Sequence, residues 1–352
     1  MSYLVNAWYV AAASRKIGAQ PFRRVILDEP IVFYRKPDGA PVALFDRCPH
    51  RFAPLSRGKP VGDGLQCGYH GLQFGSDGIC ALNPHGPVPD RARVKSYAIM
   101  EKYGFAWIWP GDASLADPAL LPEMPLFDDP NYDVVDGYLS VAAHYQLLAD
   151  NLLDLSHVEF LHPDFAMEDV LSNTRTEVLR EGNRVHSNRW KPNCSVSRFL
   201  RTFWTSQAER GDARANIRWD PPGHFYLDLG VTEVDAPLEA GIYVPFLHLL
   251  TPETKQKTHY FWAMARSERR GDPAFDETIR MMATRAFEVE DEPMIEAQQA
   301  EIGPDRDFMA MRPMLLGPDA AATQARLILD KLIAEERKIV AGGPANLETR
   351  SA

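Results

Sequence analysis

The chain has 352 residues and a formal net charge of −10, with 45% hydrophobic and 24% charged side chains. This is the balance of a soluble globular protein large enough for two domains. The charge argues against nucleic acid and anionic membranes as partners, while leaving room for a local basic pocket. The apolar run over residues 4–13 is too short to span a membrane and lacks the charged start of a signal peptide, so a cytoplasmic location is expected.

Over residues 25–109 short apolar stretches alternate with turn signals: Pro-Asp-Gly at 37–39, Ser-Asp-Gly at 76–78 and Pro-Gly-Asp at 110–112. The pattern predicts an antiparallel β domain. Phe105, Trp107 and Trp109 alternate with smaller residues and read as packed strand positions. Residues 112–133, rich in proline and acid, predict a linker over the surface. That places a domain boundary near residue 120, giving segments 1–120 and 121–352. Beyond it the sequence predicts a helix over 144–161, strands over 176–266 and a long helix over 275–300. A C-terminal amphipathic helix over 321–340 would bury Leu327, Leu329, Leu332, Ile333 and Ile339. Residues 342–352 are expected to fray. No internal repeat or low-complexity segment is present.

The strongest chemical signal is Cys48-Pro49-His50, then sixteen residues, then Cys67-Gly68-Tyr69-His70. Two thiolates and two imidazoles from two short loops are the ligand set of a Rieske [2Fe–2S] centre. One iron takes both sulfurs and the other takes both nitrogens, and neutral imidazole in place of thiolate raises the potential. Zinc also accepts such a donor set, but its fingers usually group Cys with Cys and His with His. Here each loop carries one of each. Cys80 and Cys194 are left over and read as buried free thiols.

A second constellation lies in Asn151-Leu-Leu-Asp154-Leu-Ser-His157-Val-Glu-Phe-Leu-His162. Asn151, Asp154 and His157 are three apart and would share one helix face. His162 lies five residues after His157, about 140° further around a regular helix, so the helix must end or widen for both rings to reach one metal. Pro163 gives a reason to end it, and a π-bulge is the alternative. Two histidines plus a carboxylate with open positions form the non-haem Fe(II) arrangement that activates O₂. Glu288, Glu290, Asp291 and Glu292 offer that carboxylate. Pro293 cannot donate to the Val289 carbonyl, which perturbs the helix beside the acids, but helix geometry alone does not choose among the four.

The segments NAWYVAA, CPHRFAPLSRG, CGYHGLQFGSDGIC, NLLDLSHVEFLH, LHLLTPET and EVEDEPMIEAQ together resemble the oxygenase components of Rieske non-haem iron oxygenases. Within them the chain looks closest to the vanillate O-demethylase and dicamba monooxygenase branch. That family often has proline where this chain has Gly68. The resemblance implies an α+β protein: an antiparallel β Rieske [2Fe–2S] domain, then a helix-grip catalytic domain with mononuclear Fe(II). It implies Asp291 as the third ligand beside His157 and His162. Asp154 would be a carboxylate bridging His157 to His70 of the next subunit in a head-to-tail homotrimer. Asn151 would stand behind the ligands. His248, in LHLLTPET, would be the contact to a substrate carboxylate or phenol.

Implied partners are O₂, a small aromatic substrate, and a flavin and iron–sulfur reductase or ferredoxin that brings electrons from NADH. The chain has no nucleotide fingerprint of its own. The implied reaction is O-demethylation of a vanillate-like acid with release of formaldehyde. Hydroxylation of another aromatic ring is the nearest rival. An electron-transfer protein without oxygenase activity and a zinc-stabilised binding module are more distant ones. His85, His144, His186, His224 and His259 show no partner pattern and are expected to be structural or superficial.

Overall fold

The computed structural model describes residues 3–167, 173–304 and 307–342. Ten strands precede the proline-rich segment. They are β1 (Tyr9–Ala13), β2 (Phe22–Ile26), β3 (Glu29–Arg35), β4 (Pro41–Phe45), β5 (Lys59–Val61), β6 (Gly64–Gln66), β7 (Gln73–Phe74), β8 (Cys80–Leu82), β9 (Ser96–Lys102) and β10 (Phe105–Trp109). Six form an antiparallel sheet in the order β1-β10-β9-β4-β3-β2, and β5-β6-β7-β8 form a smaller one. Pro-Asp-Gly joins β3 to β4 and Ser-Asp-Gly joins β7 to β8, as the turn chemistry predicts. All five residues of β10 are buried, so Phe105, Trp107 and Trp109 belong to a strand covered on both faces.

The expected surface linker is exposed over most of its length, but a few buried side chains anchor it. Its prolines and acids make three short 3₁₀ turns, with Asp112 and Asp117 accepting the Ser114 and Ala119 main-chain N–H groups. Leu121 and Met124, between the second and third turns, and Phe127, in the third, are buried with Trp8, Trp109 and Phe261. Proline fixed the turns without dictating exposure, and the apolar side chains between them went inward.

A second antiparallel sheet has seven strands: β11 (Asp133–Val141), β12 (Arg175–Glu181), β13 (Arg184–Ser195), β14 (Arg210–Asp220), β15 (His224–Glu233), β16 (Ile242–Thr254) and β17 (Lys257–Arg266). Their order is β11-β17-β16-β15-β14-β13-β12. The helices are α1 (Tyr145–Leu153), α2 (Val158–Leu161), α3 (Arg198–Arg201), α4 (Pro273–Thr284), α5 (Glu292–Ile302) and α6 (Ala320–Gly342). Phe275, Ile279 and Ile295 from α4 and α5 share a core with Ala213, Leu227 and Phe246 of the sheet. Helices held against one sheet face are the helix-grip arrangement, and the chain as a whole is α+β.

In α6 the apolar positions differ from those expected. Leu329 and Ile333 are buried, but Leu327 and Ile339 are 64% and 76% exposed. Ala321, Ala322, Ala325 and Ile328 complete the inward face, so small alanines moved the stripe around the helix. The fraying expected of residues 342–352 falls, from 343 onward, outside the described residues. No described helix is long and apolar enough to cross a membrane.

The two sheets meet directly. Thr251 Oγ1 on β16 donates to the Val10 carbonyl on β1 at 2.8 Å, and Leu27 N–H donates to the Pro252 carbonyl at 2.9 Å. Glu336 on α6 accepts the Val5 and Asn6 main-chain N–H groups at 2.8 and 2.7 Å.

Candidate metal centres

Two loops of one design carry the cysteines, the first between β4 and β5 and the second between β6 and β7. In each, the cysteine N–H donates to the carbonyl five residues on: Cys48 to Ala53 at 2.9 Å and Cys67 to Leu72 at 2.8 Å. In each, the cysteine carbonyl accepts from the N–H four residues on, from Phe52 at 2.9 Å and from Gly71 at 3.1 Å. Phe52 and Gly71 both have positive φ, +59° and +78°. The repeated turn buries both sulfurs and lifts both histidines outward, with the His50 and His70 rings 4.5 Å apart. Asp46 pins the first loop by accepting the Ser56 N–H and hydroxyl, both at 2.7 Å. At Gly68 a Cβ would lie 2.7 Å from the Arg57 carbonyl oxygen, so the glycine lets the loops approach.

The donor set fits a two-iron cluster. Burial, with the Cys67 sulfur beside it, pushes the Cys48 thiol up to about 11. Two facing sulfurs in such a site become thiolates when a cation shares them. His85 also borders this surface, its Nε2 lying 3.0 Å from the His70 carbonyl oxygen. Nothing in its spacing singled it out. Cys80 and Cys194 are buried free thiols, as expected.

The second constellation departs from a regular helix earlier than its spacing suggests. The helix α1 stops at Leu153, and Asp154 has φ −110° and ψ 87°. The Asp154 carboxylate accepts the Ser156 N–H at 2.8 Å and starts a 3₁₀ turn at Leu155–His157. Asn151, Asp154 and His157 therefore do not share one helix face. The physical reason is that aspartate competes for the main chain and caps the following turn. After α2 the chain leaves the helix at His162, before Pro163, as the proline requires. The widened turn occurs instead in the acidic helix, where Arg285–Asp291 is a π segment between α4 and α5. Pro293 withdraws a donor from the Val289 carbonyl at that point.

This geometry brings His157, His162 and Asp291 together, with one donor atom of each within 4.8 Å of the others. The Nε2 atoms of His157 and His162 lie 3.5 and 3.2 Å from Asp291 Oδ1. Their Nδ1 atoms are engaged elsewhere. His157 Nδ1 donates to the Asp154 main-chain carbonyl at 2.6 Å, and His162 Nδ1 donates to Glu290 Oε2 at 2.8 Å. Both acceptors require a proton on Nδ1, which leaves both Nε2 lone pairs aimed at a common point. Burial pushes His157 below the usual imidazole range. At His162 the Asp291 and Glu290 carboxylates outweigh burial and raise it. Asn151 Nδ2 donates to Asp291 Oδ1 at 3.0 Å and lies 3.4 Å from His157 Nε2.

Of the four candidate acids, Asp291 is buried against the histidines, Glu290 orients His162, and Glu288 faces solvent. Glu290 had no role of its own in the sequence reading. Arg285 extends the chain, donating to Glu290 Oε1 at 2.9 Å. The expected contact between the Asp154 carboxylate and His157 is corrected: the link runs through the main-chain carbonyl, while the carboxylate caps Ser156.

The triad sits in the wall of a cavity lined largely by apolar side chains such as Leu155, Phe165, Leu227, Phe246 and Phe287, with Arg189, Lys191 and Arg214 also on its border. His248 borders the same cavity from β16. It is 3% exposed, its Nδ1 lies 2.7 Å from the Tyr260 hydroxyl, and burial pushes it down to about 3, so it is neutral. His144 caps α1, and His259 is held by Tyr138 and the Val25 carbonyl. His186 sits 3.6 Å from Glu181.

Known proteins match this organisation along nearly the whole chain. Residues 7–98 match the Rieske [2Fe–2S] domain, and residues 141–335 match the vanillate O-demethylase oxygenase C-terminal domain. The oxygenase component of dicamba O-demethylase from Stenotrophomonas maltophilia is 36% identical, over 94% of this chain and 98% of that protein. A vanillate O-demethylase oxygenase subunit from Pseudomonas sp. is 35% identical, over 95% and 96% of the two chains. The crystal structure of dicamba monooxygenase bound to 3,6-dichlorosalicylic acid superposes with a TM-score of 0.90, covering 96% of this chain and 99% of that one. With its cluster loops, its two-histidine, one-carboxylate centre and its helix-grip sheet, the chain belongs to the oxygenase components of the Rieske non-haem iron oxygenases.

Proposed function

We propose that this oxygenase demethylates a small methoxylated aromatic acid resembling vanillate. The observation that carries the reading is the convergence of His157, His162 and Asp291 on the wall of an apolar cavity, in a chain with Rieske loops. Cys48, Cys67, His50 and His70 would hold the cluster, and the triad would hold the mononuclear iron. When bound, the iron supplies O₂ activation, with electrons arriving through the cluster.

The chain's own residues do the rest. The Asp154 carbonyl and Glu290 fix the tautomers of His157 and His162, and Asn151 steadies Asp291. The apolar walls exclude water from the substrate's methyl group. His248, neutral and oriented by Tyr260, presents Nε2 to the cavity for a substrate oxygen. For an aryl methyl ether, oxygen insertion at the methyl C–H gives a hemiacetal that collapses to a phenol and formaldehyde. One O₂ and two electrons from NADH are consumed and one water is formed.

Electrons would come from a separate reductase or ferredoxin. We also propose the head-to-tail homotrimer, in which Asp154 at the mouth of the site faces His70 of the next subunit, and a division of the chain into segments 1–120 and 121–352. Asp154 borders an open groove together with His157, Leu161 and Met294, which is where a neighbouring cluster would seat.

A single turnover tests the reaction. The iron-loaded protein is reduced chemically, mixed with vanillate and a panel of methoxylated aromatics, and exposed to O₂. Formaldehyde with the demethylated phenol is expected. Cluster oxidation with a ring-hydroxylated product would replace demethylation by ring hydroxylation, and no organic product from any aromatic would overturn both.

A further inference from the structure

Strand β13 turns Ser187, Arg189 and Lys191 inward at alternate positions, and all three are buried. Beside Arg189 and Lys191 on β14 stand Ala215 and Ala213, whose small side chains leave room over the sheet for long cationic ones. Three cationic side chains border the cavity: Arg189, Lys191 and Arg214. Two of them are neutralised. Lys191 Nζ lies 2.5 Å from Glu159 Oε1, and the other oxygen of Glu159 accepts the Met167 N–H at 2.9 Å. Arg214 Nε lies 2.7 Å from Asp228 Oδ1, so its charge is paired although its Nη1 is also sealed without a hydrogen-bond partner.

Arg189 is different. It is 7% exposed, makes no ion pair among the described residues, and its Nη1 is sealed from solvent with no hydrogen-bond partner. Burial lowers its hold on the proton, and Asp154 and Glu159 oppose this only through space. A guanidinium nevertheless stays charged in a protein, and a buried, unpaired charge is costly until an anion joins it.

We propose that Arg189 is the anion anchor of the substrate cavity, receiving the carboxylate or sulfonate of an aromatic substrate whose methoxy end lies at the triad. The assignment rests on the demethylation reading and adds to it the residue that selects acids over neutral ethers. His248 cannot supply that charge. It is neutral, and it stands three strands away from Arg189 in the sheet order, roughly 14 Å across at the usual spacing. The polar contacts therefore occupy two ends of an apolar slot, a charged donor at β13 and a neutral imidazole at β16. A planar acid bound between them has its ring on the apolar walls.

The test is anaerobic calorimetry on the holoenzyme with three probes: 4-hydroxy-3-methoxybenzoate, the corresponding benzenesulfonate and the neutral benzamide. The wild type is expected to prefer one of the anions over the amide by roughly 10- to 100-fold, the range of a charge-assisted hydrogen bond. The stronger anion identifies the headgroup. Arg189→Met should erase that preference, and Arg189→Lys should keep only part of it, having lost the planar fork. Equal binding of acid and amide by the wild type overturns the anchor even if Arg189→Met does not fold. So does an undiminished preference in Arg189→Met or Arg189→Lys. Formaldehyde from neutral methoxyarenes without acid selectivity would remove the anchor and keep the demethylase. Acid-selective binding without formaldehyde would do the reverse.

Discussion

The cluster loops and the mononuclear site solve opposite problems with similar donors. The first brings four candidate donors together from residues 48–70, hides the sulfurs and leaves His50 exposed and His70 partly so. The second brings together three candidate donors, His157, His162 and Asp291, and buries His162 and Asp291. In the first, main-chain turns do the positioning. In the second, each imidazole is held from behind by a side chain or carbonyl of its own. Under the proposed trimer, a cluster that hands electrons to a neighbouring subunit would have to lie at the surface. A centre that handles O₂ must be enclosed and rigid, and it needs outer partners to stay so.

The sharpest way to break this comparison is to empty one site and look at the other. Asp291→Ala should release the mononuclear iron and leave the cluster's visible absorption intact. The loss of turnover should exceed the roughly 100-fold that removing a mere outer partner costs. Cys48→Ser should do the converse, bleaching the cluster while the triad still binds iron. Iron content and visible spectra of both variants decide it. If Asp291→Ala bleached the cluster, the two centres would not be independent.

Asp154→Asn probes what joins them. Asparagine caps a turn nearly as well as aspartate, and the main-chain carbonyl that orients His157 is untouched by the change. Both metals should therefore remain, yet turnover should fall by roughly 10- to 100-fold if the carboxylate serves the link to the next subunit. Normal turnover with both metals present would confine Asp154 to its capping role.

The difference between the sites also explains what the sequence could reveal. The cluster loops are local, so spacing alone named Cys48, His50, Cys67 and His70 and pointed to one mixed pair per loop. His157 and His162 were legible because two histidines close in sequence stand beside a one-electron cluster that needs an acceptor, and Pro163 gives the helix a reason to end at His162. The break at Asp154 was not, because it depends on a side chain choosing a main-chain partner over the helix. Asp291 and Glu290 are adjacent in an acidic run, and only the folded π segment shows that Asp291 faces the Nε2 atoms of the two histidines while Glu290 holds His162 Nδ1. Arg189 carries no local signal at all. Its meaning comes from Glu159 and Asp228 being taken by other cations, which is a property of the folded cavity. The buried anchors of the linker and the shifted α6 stripe have the same origin, since burial there is set by partners distant in sequence.

The smallest expected effect concerns the junction between the two regions. His224 begins β15 in the catalytic sheet, and its ring meets the Trp107 ring of β10 at 5.2 Å. It is 2% exposed, and burial pushes it down to about 4. Asp220 and the Trp8 main chain oppose this, and Arg218 adds to it. Below its ordinary pKa of about 6.5 the unfolded chain takes up a proton that the folded chain refuses until about pH 4. Stability therefore falls as pH falls through that window, by about 1 kcal/mol at pH 5.5 from this residue. In a chain of this size that is a shift of roughly 1–2 °C in Tm. His224→Phe keeps an aromatic edge against Trp107 and removes the titration, so its Tm should vary less between pH 7 and 5.5 than that of the wild type. The comparison is of slopes, so a change in absolute stability does not obscure it. Equal slopes would show that the acid sensitivity belongs to His144, His248 and His259, which burial also holds neutral but which lie away from this ring contact.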